Sequence, residues 1–263
     1  MSAPTSASGI GAAAATGATP EGAVDEHGAA MAVQAMFNSI APRYDLVNHV
    51  LSANIDRLWW WRAARRFRTT LADPNAEVLD ICCGTGDMTM ALLKHRPIGA
   101  RPVIAADFAR EMLARGAHKF AGPFSRHGAA IAVEADALHL PLRDASLNLI
   151  TTAFGFRNLA NYRDGLMEFQ RVLKPGGQLG ILDFSEPDGM LGRIYQVYFR
   201  HVLPQIGKLI GGKDSAYNYL PASVGKFPPP AKMLAMMCEA GFRDVSWTPY
   251  TFGIAGLYTG VRK

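Results

Sequence analysis

Short apolar runs alternate with longer amphipathic stretches along most of the chain. Five runs have the length and the Val, Ile and Leu content of buried strands, at 78–81, 103–106, 130–133, 147–152 and 179–184. Apolar residues recur at helical spacing between them, at 87–95, 110–117 and 162–173. Strands that alternate with helices predict βαβ units, and therefore a parallel sheet with right-handed crossovers.

The pattern is looser after the fifth strand. A segment with many aromatic residues and prolines, 189–229, is predicted to be an insertion on the substrate side of the domain. A helix is expected at 230–240, followed by a terminal pair of strands at 245–250 and 254–261. Together the elements predict one α/β domain over 73–263, which suits a chain of 263 residues.

The N-terminal part of the chain differs from this domain. Residues 1–28 are rich in Ala, Gly, Ser and Thr, and we expect a disordered tail that lacks the basic region of a secretory signal. Residues 29–72 are expected to form a helical segment, with one helix ended or bent at Pro42 and a second over 54–71. Three consecutive tryptophans among arginines make this second helix either an interfacial membrane anchor or a lid with tryptophans in the core.

A glycine-rich turn directly after the first strand is the strongest local signal. Gly84 and Gly86 let the backbone approach a ligand without obstruction by a Cβ, at the carboxyl end of the strand. The turn lacks the third glycine of a dinucleotide fingerprint, and the chain has no P-loop motif. Asp80 and Asp87 would repel a pyrophosphate but suit a ligand with an ammonium group. A purely structural β-turn is the alternative.

Acidic residues also follow the next two strands. Asp107 ends the second strand about twenty residues after the turn, where an acid can bind ribose hydroxyls. Asp136 follows the third strand, where it could accept a hydrogen bond from an adenine amino group. Taken singly, Asp107 could be a helix N-cap and Asp136 a turn residue. Acids at three successive strand ends predict a site for an adenosyl ligand.

Composition and charge narrow the classes of function. Hydrophobic residues form 49% and charged residues 19% of the chain, as in an ordinary globular protein. The net charge of +5 weakly favours anionic surfaces, and without a dense Lys/Arg stripe no nucleic-acid partner is expected. Three cysteines, two of them adjacent, do not form a disulfide framework, and no apolar run is long enough to span a membrane. We expect a cytoplasmic protein without a metal site.

Five longer segments carry a resemblance to a known family. They are FNSIAPRYDLVN at 37–48, AFGFRN at 153–158, RVLKPGG at 171–177, LDFS at 182–185 and YNYL at 217–220. From about Val33 to its C-terminus the chain resembles the class I methyltransferases and, more closely, the ubiquinone/menaquinone biosynthesis C-methyltransferase family. The resemblance implies a Rossmann-like α/β fold with seven strands, mostly parallel with an antiparallel C-terminal strand.

The resemblance implies that S-adenosyl-L-methionine is the methyl donor. The residues that match the cofactor contacts of the family are Thr85, Asp107, Asp136 and Ala137, beside the turn residues Asp80, Gly84 and Gly86. Many members have a serine where this chain has Ala153, which removes one side-chain hydrogen bond but leaves backbone contacts. Asp183 stands where a glutamate is frequent.

The resemblance also implies methyl transfer to a ring carbon of a polyprenylated quinol. Such a carbon is a weak nucleophile until the adjacent hydroxyl, with a pKa of about 10, loses its proton. Arg157 could stabilise the developing phenolate, Asn158 could hold a quinol oxygen, and Tyr44 could close over the pocket. The alternatives are a surface salt bridge for Arg157 and simple packing for Tyr44. His201 is a weaker candidate for the base.

Several alternatives stay open on the sequence. The acceptor could be an amine, a phospholipid head group or another small molecule, and the chain could be a noncatalytic adenosyl-binding module. A metalloid acceptor is disfavoured because two of the three cysteines lie in the glycine turn, and no motif of a nucleic-acid methyltransferase is found. Naphthoquinol and benzoquinol rings are not distinguished, and neither is the oligomeric state. Peripheral contact with the inner face of the membrane is an expectation.

Overall fold

One mixed sheet organises the computed structural model, which describes residues 17–18, 20, 22–43, 54–120, 129–185, 187 and 216–263. Its strands are β1 (Val78–Ile81), β2 (Val103–Asp107), β3 (Ala130–Glu134), β4 (Leu147–Ala153), β5 (Leu173–Phe184), β6 (Phe242–Tyr250) and β7 (Ala255–Arg262). Their order in space is β3-β2-β1-β4-β5-β7-β6. This arrangement confirms the predicted α/β fold of seven strands.

Helices connect and cover the strands. In the described residues they are α1 (Glu26–Ile40), α2 (Ile55–Arg66), α3 (Arg68–Ala72), α4 (Asp87–Leu93), α5 (Arg110–Phe120), α6 (Tyr162–Val172), α7 (Ala216–Lys226) and α8 (Pro230–Glu239). Short 3-10 turns follow α1, β4 and β6. None of the helices within these ranges is both long enough and apolar enough to cross a bilayer.

The direction of the strands creates a crevice at the centre of the sheet. Neighbours from β3 to β5 pair in parallel, whereas β7 runs antiparallel to both β5 and β6. The chain runs outward from β1 through β2 to β3, and then crosses to the other side of β1 to form β4 and β5. The reversal separates the connections that leave β1 and β4, and α/β proteins bind ligands at this point.

Two hydrophobic cores cover opposite faces of the sheet, because successive residues of a strand point to opposite sides. On β5, Leu179 and Ile181 face a core that includes α6 and α8, whereas Leu182 faces a second core with α2, α3 and α4. Gly180 lies under this second layer, where a Cβ would come within 2.5 Å of the Phe67 ring. The glycine therefore allows the helical layer to approach the sheet closely.

Element limits differ from the expectations at several points. β5 begins at Leu173 rather than 179, because Leu173 already pairs with Leu147 before a register shift in the ladder. The helix expected over 54–71 is two helices, separated at Phe67, whose backbone is not helical. Strand β6 begins at Phe242, three residues earlier than expected.

The described part of the predicted tail contacts the domain. Ala18 is buried and donates its N–H to the carbonyl of Leu159 at 2.8 Å. Asp25 caps α1 by accepting the N–H of Gly28 at 2.7 Å, so the helix begins before residue 29. The predicted end of the tail at residue 28 is therefore too late. The expected insertion falls largely outside the described residues, and so do Tyr44 and His201.

Candidate functional site

A cleft opens at the carboxyl ends of the central strands. It encloses about 740 Å³, part of which is open to solvent. The turn after β1, the ends of β2 and β3, the loop after β4 and one face of α1 form its walls. Among the predicted site residues, those that line it are Gly84, Asp107, Asp136, Ala137, Ala153 and Asn158. The structure thus brings together residues from four separate parts of the sequence.

The glycine turn depends on backbone conformations that favour glycine. Gly84 and Gly86 have φ values of 55° and 88°, and a Cβ on Gly86 would lie 2.5 Å from the ring of Phe120. The N–H of Gly86 donates to the carbonyl of Cys83 at 2.8 Å, directly before α4 begins. Gly84 lines the cleft, whereas Gly86 and the buried Thr85 shape the turn, and Thr85 accepts a hydrogen bond from Lys119 at 3.2 Å.

Asp107 forms part of the cleft wall at the end of β2. Its carboxylate accepts the N–H groups of Gly84 and Ala109, each at 2.7 Å. Burial raises the pKa of Asp107, and the backbone hydrogen bonds oppose that rise. An ionised carboxylate has about four acceptor positions, so two bonds leave capacity for ligand hydroxyls. The residue fixes the turn before α5 rather than capping the helix, which begins at Arg110, and its contact with ribose hydroxyls stays a prediction.

Asp136 and Ala137 form the adjoining wall after β3. Asp136 accepts the N–H of Leu138 at 2.9 Å, and its other oxygen lies 3.3 Å from Nδ1 of His139. The carboxylate therefore shapes its own turn, as the alternative interpretation expected. It also lines the cleft together with Ala137, and the hydrogen bond from an adenine amino group stays a prediction.

Asp80 lies below the turn and not in the cleft wall. It is fully buried, and its two oxygens accept hydrogen bonds from the hydroxyls of Thr89 at 2.6 Å and Thr151 at 2.8 Å. Desolvation raises the pKa of Asp80 to about 7, while the two hydroxyls oppose the rise. The predicted contact with a ligand ammonium group is corrected accordingly, because Asp80 instead links β1, α4 and β4. Asp87 pairs with Lys119 at 2.9 Å.

The loop after β4 begins with a strained residue. Phe154 has a φ of 59°, which is uncommon for a bulky side chain and is typical of functional loops. Its ring packs 4.5 Å from that of Phe184 and 5.8 Å from that of Trp59, between centroids. Its carbonyl accepts hydrogen bonds from the side chains of Arg157 and Asn158. These contacts hold the loop in place along the cleft.

Arg157 is buried, contrary to the alternative of a surface salt bridge. Its Nη1 lies 2.8 Å from Oδ1 of Asp183, whose Oδ2 accepts the backbone N–H of Arg157 at 3.0 Å. The guanidinium carbon lies 5.2 Å from the centre of the Phe184 ring. Arg157 is not among the described residues that line the cleft. The structure therefore supports a role in anchoring the loop, and the direct phenolate contact stays a prediction.

Of the predicted catalytic residues that the structure describes, Arg157 and Asn158, it is Asn158 that lines the cleft. Its Nδ2 donates to the carbonyl of Phe154 at 3.3 Å, and its Oδ1 accepts the hydroxyl of Tyr219 at 3.1 Å. Desolvation raises the pKa of Tyr219 to about 12, so the hydroxyl is a donor at neutral pH. Sequence reasoning missed Tyr219 as a site residue, although the motif YNYL that contains it was one of the family signals.

One face of α1 forms a wall that the sequence analysis missed. Ala30, Val33, Gln34 and Phe37 line the cleft, at the spacing of one helical face. The side-chain amide of Gln34 donates to the carbonyl of Phe108, just after β2, at 2.8 Å. The apolar periodicity predicted this helix but contained no information about which element it covers. Phe108 and Met112 were also missed.

The chemistry of the cleft fits a cationic adenosyl ligand. Two carboxylates, Asp107 and Asp136, lie among apolar side chains that suit a flat ring. None of the lining residues in the described ranges is Lys, Arg or His, so a phosphate would meet only negative charge. S-adenosylmethionine offers ribose hydroxyls, an adenine ring and positive charges to such a lining. Within the same ranges, no group of three His, Cys, Asp or Glu side chains could hold a metal ion.

Similar proteins agree with this chemistry. Residues 24–262 match the model of the ubiE/COQ5 methyltransferase family. The demethylmenaquinone methyltransferase of Deinococcus radiodurans is 44% identical over 91% of this chain and 96% of its own length. The protein with the same name from Thermus thermophilus is 45% identical over 86% of this chain and 100% of its own. A SAM-dependent methyltransferase structure from Thermotoga maritima shares the fold, with a TM-score of 0.58 and 17% identity over 88% of this chain and 100% of that one.

Proposed function

Because the chain belongs to the ubiE/COQ5 methyltransferase family and uses S-adenosylmethionine as its methyl donor, we propose that it methylates a ring carbon of demethylmenaquinol. The observation that carries the proposal is the cleft that joins Asn158 to the two carboxylates suited to an adenosyl group. The names of two relatives at 44% and 45% identity support the naphthoquinol ring. A benzoquinol of ubiquinone synthesis is the alternative ring.

The donor is held by the residues that line the cleft at the strand ends. Asp107 accepts hydrogen bonds from ribose hydroxyls, and Asp136 with Ala137 binds the adenine edge. The backbone at Gly84 and Ala153 contacts the methionine part. When bound, the donor supplies an activated methyl group on a cationic sulfur. Thr85, Gly86 and Asp80 contribute indirectly by maintaining the shape of the turn.

The acceptor is held by the loop after β4. The Tyr219 hydroxyl donates to Oδ1 of Asn158 and thereby fixes which end of the amide is the donor. One N–H of Nδ2 donates to the Phe154 carbonyl, and the other is left to hydrogen-bond a quinol oxygen. Arg157 is a positioning residue, since it holds the Phe154 carbonyl and the backbone that carries Asn158. Loss of the quinol proton to water makes the ring carbon nucleophilic, and the carbon releases its own hydrogen as a proton once it carries the methyl group. Tyr44 stays a predicted contact to the second oxygen.

A polyprenylated acceptor resides in a bilayer, so the proposal includes peripheral contact with the inner face of the cytoplasmic membrane.

Two other functions make different predictions. Methylation of another small molecule or lipid head group would leave quinols unlabelled. A noncatalytic adenosyl-binding module would bind the donor without transferring its methyl group to any acceptor.

The test is methyl transfer from labelled S-adenosylmethionine to reduced demethylmenaquinone and to a benzoquinol analogue, both with short tails. We expect label on the ring carbon of the naphthoquinol. Asn158→Ala is expected to lower kcat about 10- to 100-fold, because a hydrogen bond to the developing oxyanion is lost. The affinity for S-adenosylhomocysteine, measured by calorimetry, should not change. This variant is preferable to Arg157→Ala, which would leave Asp183 buried without its charged partner.

Asn161→Ala is the matched control. Asn161 caps α6 through the N–H of Asp164 at 3.1 Å and is not among the described residues that line the cleft, so kcat should be retained. Donor binding without transfer to either ring would overturn the quinol proposal. Equal kcat values for the two variants would overturn the role of Asn158.

A further inference from the structure

Helix α2 divides lengthwise into a buried and an exposed half. Trp59, Ala63 and Ala64 pack into the core, together with the buried Asp56 and the half-buried Trp60. The other seven residues are exposed and, at 100° per residue, lie on one continuous side: Ile55, Arg57, Leu58, Trp61, Arg62, Arg65 and Arg66. The sequence left two alternatives for this helix, a membrane anchor or a lid with tryptophans in the core. Trp59 packs in the core, whereas Trp61 lies on the surface.

The exposed half combines large apolar side chains with positive charge. Ile55, Leu58 and Trp61 are 38%, 49% and 44% exposed, and four arginines lie among them. The single acidic residue of the helix, Asp56, is on the buried half. Tryptophan and aliphatic side chains interleaved with arginines are typical of helices that lie in the interface of a bilayer.

An exposed aromatic ring lies in a turn that contacts α2. Phe252, 81% exposed, lies in the turn Thr251–Gly253 that follows β6. The turn contacts α2 through a hydrogen bond of 2.8 Å from Nε1 of Trp59 to the Thr251 hydroxyl. Tyr250, the residue before the turn, lies under the guanidinium of Arg62, 4.4 Å from the centre of its ring. We call the seven exposed residues of α2 together with Phe252 the docking face.

The docking face is close to the acceptor side of the cleft. Trp59, on the opposite half of the same helix, packs against Phe154, and Phe154 lines the cleft beside Asn158. One helix therefore lies between the docking face and the loop that is proposed to hold the quinol. A molecule bound to this face would be a helix width from the site of methyl transfer.

We propose that the docking face binds the surface of an anionic lipid bilayer, with α2 parallel to the membrane plane. The arginines lie at the level of the lipid phosphates, and Ile55, Leu58, Trp61 and Phe252 enter the boundary with the acyl chains. This inference rests on the proposed quinol methylation, for which it identifies the route of the acceptor. The quinol head group then reaches the cleft while its prenyl tail stays in the bilayer.

Charge and composition favour lipid over other partners. A protein partner would need acidic groups opposite each of the four arginines spread across this face, because a charge buried in an interface must be paired. A nucleic-acid backbone would use the arginines for its phosphates but offers no continuous apolar layer for Ile55 and Leu58. A bilayer surface accommodates both groups at once, because its anionic layer lies directly above an apolar one.

The test is sedimentation of the full chain with vesicles, either of phosphatidylcholine alone or with an equal part of phosphatidylglycerol. We expect binding to the anionic vesicles that weakens as salt is raised. A double substitution, Leu58→Ser with Trp61→Ser, should weaken binding about tenfold or more through lost apolar burial. Arg57→Gln and Arg65→Gln should each weaken it about fivefold. The matched control combines Ile98→Ser with Met167→Ser, exposed by 87% and 50% elsewhere on the surface, and should bind as the wild type does.

Measurements of the methylation rate distinguish a failure of this inference from a failure of the proposed function. The Leu58/Trp61 double variant should methylate a short-tailed soluble quinol normally and a long-tailed quinol in vesicles slowly. Vesicle binding that depends on the face, without methylation of any quinol, would overturn only the proposed function. Equal vesicle binding by the double variant and the control would overturn the docking face. The docking face would also be overturned if its residues proved necessary for a dimer or a nucleic-acid complex, measured by sedimentation velocity, but not for vesicle binding.

Discussion

At the loop after β4, two charged side chains are buried in the interior. Arg157 and Asp183 are 5% and 0% exposed and form one ion pair of 2.8 Å. Asp183 also accepts the backbone N–H groups of Arg157 and Phe184, so its oxygens are well supplied with donors. Desolvation makes such a pair costly to build, but removal of one partner costs more because the other charge is left buried.

Substitution of Asp183 tests this anchoring role. Asp183→Asn keeps the shape of the side chain but leaves the Arg157 charge without its counterion. We expect the free energy of unfolding to fall by about 3–5 kcal/mol in urea titrations. Asp144→Asn is the control, since its ion pair with Arg171, 2.5 Å long, is largely exposed and should be worth less than about 1 kcal/mol. Similar losses in the two variants would show that burial of the pair is unimportant.

Among the secondary structure elements, the junction of β1, α4 and α5 is the one that shapes the donor side. Gly86 has a positive φ at the start of α4, and the ring of Phe120 at the end of α5 occupies the position that a Cβ would take. Because Gly86 has no side chain, the turn, α4 and α5 can pack closely together. Gly84, two residues earlier, is the part of this unit that lines the cleft.

Addition of a methyl group at Gly86 should disturb the whole junction. Gly86→Ala combines left-handed backbone strain with a 2.5 Å contact, for an expected loss of about 1–3 kcal/mol of stability. Calorimetry should show affinity for S-adenosylhomocysteine reduced about tenfold, which corresponds to 1.4 kcal/mol of binding free energy. Gly99→Ala isolates the backbone strain, because Gly99 has φ +78° and no atoms within 4 Å of its Cβ position. Equal affinities for the two variants would contradict the role of the packed junction.

On the scale of the whole molecule, the sheet lies between two cores and contains a carboxyl group that is an unusually weak acid. Asp80 lies on β1 at the centre of the sheet, and its hydrogen bonds reach α4 and β4. Its pKa of about 7 in the folded chain compares with 3.8 as the ordinary value, chiefly because burial disfavours the charged form. Between these two values the folded state holds a proton that the unfolded state has released.

This proton makes the global stability depend on pH. As pH rises from about 4 to about 7, the unfolded state binds fewer protons than the folded state, so the free energy of unfolding should fall. The slope from one such group is at most about 1.4 kcal/mol per pH unit. Asp80→Asn cannot ionise, and the difference between its urea unfolding curves and those of the wild type isolates the contribution of Asp80. Parallel pH profiles for the two proteins would contradict the raised pKa.

The sequence by itself determined the fold class and the donor side of the site. The periodicity of apolar residues predicted the strands and most helices, since a strand or helix exposes one face and buries another within a few residues. Gly84, Asp107 and Asp136 could be placed together because the carboxyl ends of parallel strands meet at one edge of the sheet. The family motifs then added Asn158, which lines the same cleft.

Only the tertiary structure decided which polar groups face the ligand and which support the fold. Asp80 bonds to Thr151, 71 residues away, and Asn158 to Tyr219, 61 residues away. Local pattern predicts that a face is buried but not the element that buries it, so the α1 wall and the burial of Arg157 could not be foreseen. Burial, hydrogen-bond partners and pKa shifts depend on residues distant in sequence, and these separate Asp80 below the turn from Asp107 in the cleft.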